Sequence, residues 1–201
     1  MNLFRKLFGL KGNTEEHIKN EERGKYMPEI KLPIDERFTI NFKANGGKFL
    51  YCENMKEISD SLNEILNENK WNDSYAYILD EQLKKLFKGF NFNCTKKISE
   101  ATYFFSTCEY LISDDGSLLI SSNQIAEKKL KDLPPNFIIY ATTSQMVENI
   151  GEGLRGIKRK NRDKIPTNIT TIKHFKTLEE KDFLTYGSSS KNLYLLLLED
   201  L

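Results

Sequence analysis

The chain is expected to fold as an α/β domain, with a mainly parallel sheet and helices on both faces. Three observations predict this. Short apolar runs of strand length alternate with segments whose apolar residues recur every three or four positions. Alternation of this kind builds parallel sheets through helical crossovers. The run Leu193-Tyr194-Leu195-Leu196-Leu197-Leu198 is apolar at every position, as a strand covered on both faces requires. Finally, 201 residues, 39% of them hydrophobic, are enough for one domain with a sizeable core.

Residues 1–33 read as separate from the α/β domain, which is expected over 34–201. The opening "MNLFRKLFGLKG" would place Leu3, Phe4, Leu7 and Phe8 on one helical face, beside Arg5 and Lys6. It reads either as a weak interfacial anchor or as a frayed tail, because so few turns hold lipid only marginally. Its apolar stretch is short for a secretory signal, and no small-residue cleavage site follows. Asn2 stands where myristoylation needs glycine. Residues 10–33 have mixed charge and contain Pro28 and Pro33, the pattern of a flexible linker. His17, within it, is expected to be solvated.

The domain elements follow in order. Ile34, Phe38 and Phe42 recur at spacing four and predict a helix, with Asp35 near its start and Gly46-Gly47 as its stop. "KFLYC" is a short strand. Met55, Ile58, Leu62, Ile65 and Leu66 mark a second helix. "SYAYILD" is a strand, and "EQLKKLFKGF" a short helix ended by Gly89. "ATYFFSTCEYLIS" reads as one strand with a break, and "SLLISSN" as its hairpin partner. After Leu133-Pro134-Pro135, "NFIIYATT" is a strand. "SQMVENIGEGLRGIKRKNRD" is expected to be the longest helix, and "NITTIKHF" and "NLYLLLLED" the last strands. Trp71 is expected to pack, and His174 to be a half-buried strand residue.

Composition limits the function. The net charge of +1 gives no global field for nucleic acid. Cys52, Cys94 and Cys108 are far apart and odd in number. That argues against a disulfide framework, a zinc site or an iron–sulfur site on this chain. Buried, reduced thiols and a cytoplasmic location, with membrane-peripheral contact as a variant, are the expectation. No apolar run reaches eighteen residues, so no transmembrane helix is expected. No metal and no resident cofactor are expected.

Four stretches could carry chemistry. In "SDDGS", Asp115-Gly116 between two apolar runs is a hairpin signal, because such turns need positive φ. The same stretch could present Asp114, Gly116 and Ser117 to a ligand. At "YATTSQ", a strand runs into a predicted helix, with Thr142 and Gln145 spaced as a capping box. Thr142, Thr143 and Ser144 could equally hold an anion there, since this is where α/β proteins bind phosphate and carboxylate. In "TYGSSSKN", Gly187, Ser188, Ser189 and Lys191 form either an anion nest or a polar turn. Arg155, Lys158, Arg159, Lys160, Arg162 and Lys164, opposed by Asp163, could meet an acidic partner or lipid, or simply be solvated. No aromatic residue interleaves with them, so specific nucleic-acid binding is not expected. Gly151, Gly153 and Gly156 in that segment point to close packing or to room for a ligand.

The stretches "DERFTINFKANGGKF", "SDDGSLLI", "LPPNFIIYATTSQMVENIGEGL" and "GSSSKNLYLLLL" together resemble the LUD domain family of lactate-utilisation proteins. The resemblance covers about residues 35–200. It implies a Rossmann-like fold similar to that of sugar-phosphate isomerases and CoA transferases. It also implies a role in bacterial lactate oxidation beside iron–sulfur partner proteins, with a small organic acid, CoA or a phosphate-bearing molecule as ligand. Class I CoA transferases carry Ser-Glu-Asn-Gly with a nucleophilic glutamate, so the likeness to "SDDG" would make Asp114 the acyl acceptor. The chain departs from the family's usual Glu-Thr-Gly-Thr, having Asp114-Asp115-Gly116-Ser117. It also lacks the usual His-Gly-Pro before the last strand. The role that follows is a small-anion-binding or accessory domain. The alternative is a non-enzymatic module that uses the N-terminal segment and the basic helix at a membrane or an acidic partner.

Overall fold

The computed structural model describes residues 32–175 and 191–200. The first helix, α1 (Ile34–Ala44), stops where expected. Gly46 takes φ +86°, and the Gly47 N–H closes the last turn on the Phe42 carbonyl at 3.0 Å. Strand β1 (Lys48–Cys52) leads into α2 (Met55–Glu68). The Asn54 side chain caps α2 by accepting from the Glu57 N–H at 3.0 Å. Then come β2 (Tyr75–Tyr77), α3 (Glu81–Leu86) and β3 (Asn93–Cys94). Strands β4 (Tyr103–Thr107), β5 (Tyr110–Ile112) and β6 (Ser117–Ile120) precede the single turn α4 (Ser122–Ile125). The chain continues through β7 (Asn136–Thr142), β8 (Met146–Val147), α5 (Ile150–Lys160), β9 (Thr170–Ile172) and β10 (Asn192–Leu198).

Six strands form one sheet in the order β1-β10-β7-β4-β2-β3, and every neighbouring pair is parallel. Side chains alternate across it, as strand geometry demands. In β10, Leu193, Leu195 and Leu197 enter one core, while Tyr194 and Leu196 enter the other. The second core is closed by Ile58, Leu62, Ile65 and Leu66 of α2, with Leu83 of α3 and Phe87. Trp71 packs there, stacked on Tyr103 at 5.3 Å. Phe38 and Phe42 of α1 help to close the first core, so helices do cover both faces.

The face that α1 helps to cover holds something the hydrophobic pattern did not predict. A second sheet, β8-β5-β6-β9, lies over it, with Leu111, Leu118, Ile120 and Ile172 in the shared core. Helix α5 covers the far side of this sheet through Ile157, against Tyr110, Ile112 and Leu119.

Several expectations need correction. The strand read from residue 101 to 113 is two strands in different sheets, and Cys108-Glu109 is the crossing point. The helix read from Ser144 begins at Ile150, capped by Asn149, and α2 is longer at 14 residues. Residues 146 and 147 pair instead with Leu111 and Ile112 of β5. That long-range pairing overrides the local periodicity. His174 is exposed beyond the end of β9, and Cys94 is exposed rather than buried. Gly153 and Gly156 serve packing: a Cβ on Gly153 would lie 2.9 Å from Leu119, and one on Gly156 would strike the Tyr110 ring.

Candidate functional site

The carboxyl ends of parallel strands are where α/β folds leave backbone groups free for ligands. Here β7 ends at Thr142 and runs into a 3-10 turn, Thr143–Gln145. The expected Thr142 and Gln145 pairing forms, with Gln145 Oε1 accepting from the Thr142 N–H at 2.8 Å. The turn also holds a carboxylate, that of Asp200, two residues past β10. Thr143 Oγ1 and the Ser144 N–H both donate to Asp200 Oδ1 at 2.8 Å, and Ser144 Oγ donates to Oδ2 at 2.6 Å. The Asp200 N–H returns a bond to Thr143 Oγ1 at 3.1 Å. Burial alone would push the Asp200 carboxyl up. The bonds from Ser144 and Thr143 outweigh it and hold the group at about 2.

The backbone of a second acidic residue, Glu109, meets the same turn. Gln145 Nε2 donates to the Cys108 carbonyl at 2.6 Å and to the Glu109 carbonyl at 3.3 Å. This ties the turn to the crossing from β4 to β5. The Glu109 side chain is 8% exposed and accepts from Ser121 Oγ at 2.6 Å and Asn123 Nδ2 at 2.8 Å. Among the described residues no cation pairs with it. Burial pushes the neighbouring Cys108 thiol up, which keeps it protonated and unreactive at neutral pH. Glu199, beside Asp200, accepts from the Tyr51 hydroxyl. The edge therefore combines hydroxyl and backbone N–H donors with the carboxylates of Asp200 and Glu199.

The "SDDGS" stretch lies at the other end of the paired strands β5 and β8. It is a hairpin turn docked on α1. Gly116 has φ +66°, and its N–H donates to the Ile112 carbonyl at 2.9 Å. A Cβ at Gly116 would overlap the backbone of Asn41 and Phe42. Asn41 Nδ2 donates to the carbonyls of Ser113 at 2.8 Å and Asp114 at 3.2 Å, and Asn45 Nδ2 to that of Asp115 at 2.7 Å. The buried Ser117 hydroxyl donates to Asp115 Oδ1 at 2.6 Å. Asp114 is exposed and pairs with Arg37 at 3.6 Å, and Arg37 also reaches Glu148 at 3.7 Å.

Lys191 lies at the amino end of β10, opposite Asp200. It is buried, and Nζ donates to the carbonyls of Leu133 at 2.9 Å and Pro134 at 3.1 Å, 5.2 Å from the Phe137 ring centre. Burial lowers its pKa to about 8. Gly187, Ser188 and Ser189 lie outside the described residues, as do His17 and the N-terminal segment. The candidate residues are thus spread over three places: Thr142, Thr143 and Ser144 share one turn, Asp114, Gly116 and Ser117 a hairpin, and Lys191 the far end of the sheet.

The LUD domain model matches residues 36–198. The chain belongs to the LUD domain family. No protein with curated function matches it. Among solved structures, a DUF162 family protein from Deinococcus radiodurans superposes on this LUD domain with a TM-score of 0.58. The two are 14% identical, and the match covers 85% of this chain and 100% of that one. At that identity the likeness concerns the α/β fold alone. Sequence reasoning missed Glu109 and Asp200 as partners of the turn. Glu109 had a signal, as the lone acid inside the apolar run "YFFSTCEYLI". Asp200 had none, because its seat is made by residues more than fifty positions away.

Proposed function

We propose that this LUD domain protein binds a small organic acid at the Thr142–Gln145 turn, as an accessory domain in lactate utilisation. One observation carries the reading: two hydroxyls and a backbone N–H already hold a carboxylate there, that of Asp200. A ligand carboxylate would replace Asp200 rather than join it. Asp200 already takes the donors of Thr143 and Ser144, so a ligand carboxylate can use them only when Asp200 lets go. Asp114 has no bond-making step in this reading, since its carboxylate, on the hairpin, faces solvent and Arg37 of α1. Oxidation of the acid falls to partner proteins, the iron–sulfur proteins that the family resemblance implies.

The test is a thermal-shift panel with lactate, pyruvate, CoA, acetyl-CoA and phosphate. Binding to the native state raises Tm by linkage. Lactate or pyruvate should raise the Tm of the wild type, and raise it more in Asp200→Ala, whose turn is vacated. Ser144→Ala should lose the shift. A flat response from all three proteins to every ligand would refute the reading. A shift with CoA or phosphate alone would replace the organic acid with a phosphate-bearing ligand.

A further inference from the structure

Among the described residues helix α5 is the outermost layer on its side of the domain, and its inner face is accounted for. Gly153, Gly156 and Ile157 are buried against the second sheet. Lys160 turns back over the Tyr110 ring at 4.7 Å. Arg155 reaches Glu152 at 4.0 Å. Lys158, Arg159, Arg162 and Lys164 are exposed and have no partner among the described residues. Beside them, Ile150 is 42% exposed, Leu154 43% and Ile165 47%. Among the described residues seven large hydrophobic side chains are exposed, and three of them fall on this helix and the loop after it. From residue 150 to 165 there are six cations against Glu152 and Asp163, in a chain whose net charge is only +1.

We propose that the outer face of α5, with Ile165, docks on an anionic lipid surface. Charge complementarity and the exposed aliphatic residues point the same way. Ile150 and Leu154 are one helical turn apart and lead along the helix to Lys158, so apolar and cationic groups share one exposed face. A bilayer interface takes both: aliphatic side chains enter the acyl boundary while lysine and arginine stay at the headgroups. Nucleic acid offers nothing to exposed isoleucine and leucine, and the face has no aromatic side chain for stacking. An acidic polypeptide would satisfy the charges, but no groove is needed or used by a bilayer. The attraction is that of a few basic residues, so it is reversible and falls as salt rises.

The experiment is co-sedimentation of the full chain with phosphatidylcholine vesicles, with and without phosphatidylglycerol, at low and raised salt. The N-terminal segment stays in place in every arm, so a difference between variants reports on α5. Wild type should sediment with the anionic vesicles at low salt and not with the neutral ones. The double variant Lys158→Gln, Arg159→Gln should partition roughly 25-fold more weakly, about fivefold per cation. Ile150→Ser with Leu154→Ser should weaken binding several-fold with the charges intact. These residues are exposed, so unchanged thermal melts confirm that each variant is folded. Equal sedimentation of wild type and both variants would overturn the proposal, as would binding that ignores phosphatidylglycerol. Capture of the protein on polyglutamate beads without vesicle binding would overturn it in favour of an acidic polypeptide.

Discussion

Asp200 gains three hydrogen bonds from Thr143 and Ser144, and the cost of leaving water is smaller than that gain. The consequence for pH can be measured. The folded group sits at about 2 and the reference value is 3.8, so the folded state prefers the charged form. The resulting stability is complete above about 3.8 and is lost as pH falls through about 2. Asp200→Asn should therefore show a shallower loss of stability over that window, read from denaturation midpoints. The difference will be modest because the side chain is partly solvated. Lys191 behaves in the opposite sense. Its ammonium is disfavoured in the fold, at about 8 against a reference of 10.5. Between those values the unfolded chain binds more protons, so stability rises with pH. Lys191→Met should flatten that rise. It should also cost about 1–3 kcal/mol at neutral pH, because the Leu133 and Pro134 carbonyls lose their donor.

Among the elements, the hairpin from β5 to β6 depends most on one residue. Gly116 is needed twice, for its positive φ and for the contact of its bare backbone with α1. Gly116→Ala should cost roughly 3 kcal/mol, the sum of left-handed strain and overlap with a backbone that cannot give way. The denaturant midpoint should fall with m unchanged. Asp114→Ala, by contrast, removes a long ion pair whose carboxylate is half-exposed and should change stability by about 1 kcal/mol or less. The start of helix α5 lies later than apolar spacing alone predicts. Its apolar spacing extends backward into "SQMV", but Met146 and Val147 gain more from pairing with β5 than from one further helical turn, and Asn149 caps the shorter helix.

Across the whole domain, stability should be graded by position in the six-stranded sheet. Strands β10, β7 and β4 are flanked by strands and covered on both faces, whereas β1 and β3 are edges. Amide exchange should therefore be slowest in Leu193–Leu197, Phe137–Ala141 and Phe104–Phe105, and faster in β3. Equal protection across all six strands would contradict this layering.

The sequence by itself determined what short-range periodicity can encode. The all-apolar run at 193–198 announced a strand covered on both sides. The spacing of Ile58, Leu62 and Ile65 announced α2, and Asp115-Gly116 a hairpin. The order of these features placed the chain among LUD domains. These signals lie within a few residues of one another, so local backbone preference and burial suffice to read them. Only the tertiary structure decided which strands share a sheet. It separated β5 from β4 and joined Met146 to Leu111. It also seated the Asp200 carboxylate on hydroxyls 56 and 57 residues away in sequence. Each of these pairings satisfies polar groups or buries surface between distant segments. The free energy that selects them belongs to the contact and is present in neither segment alone.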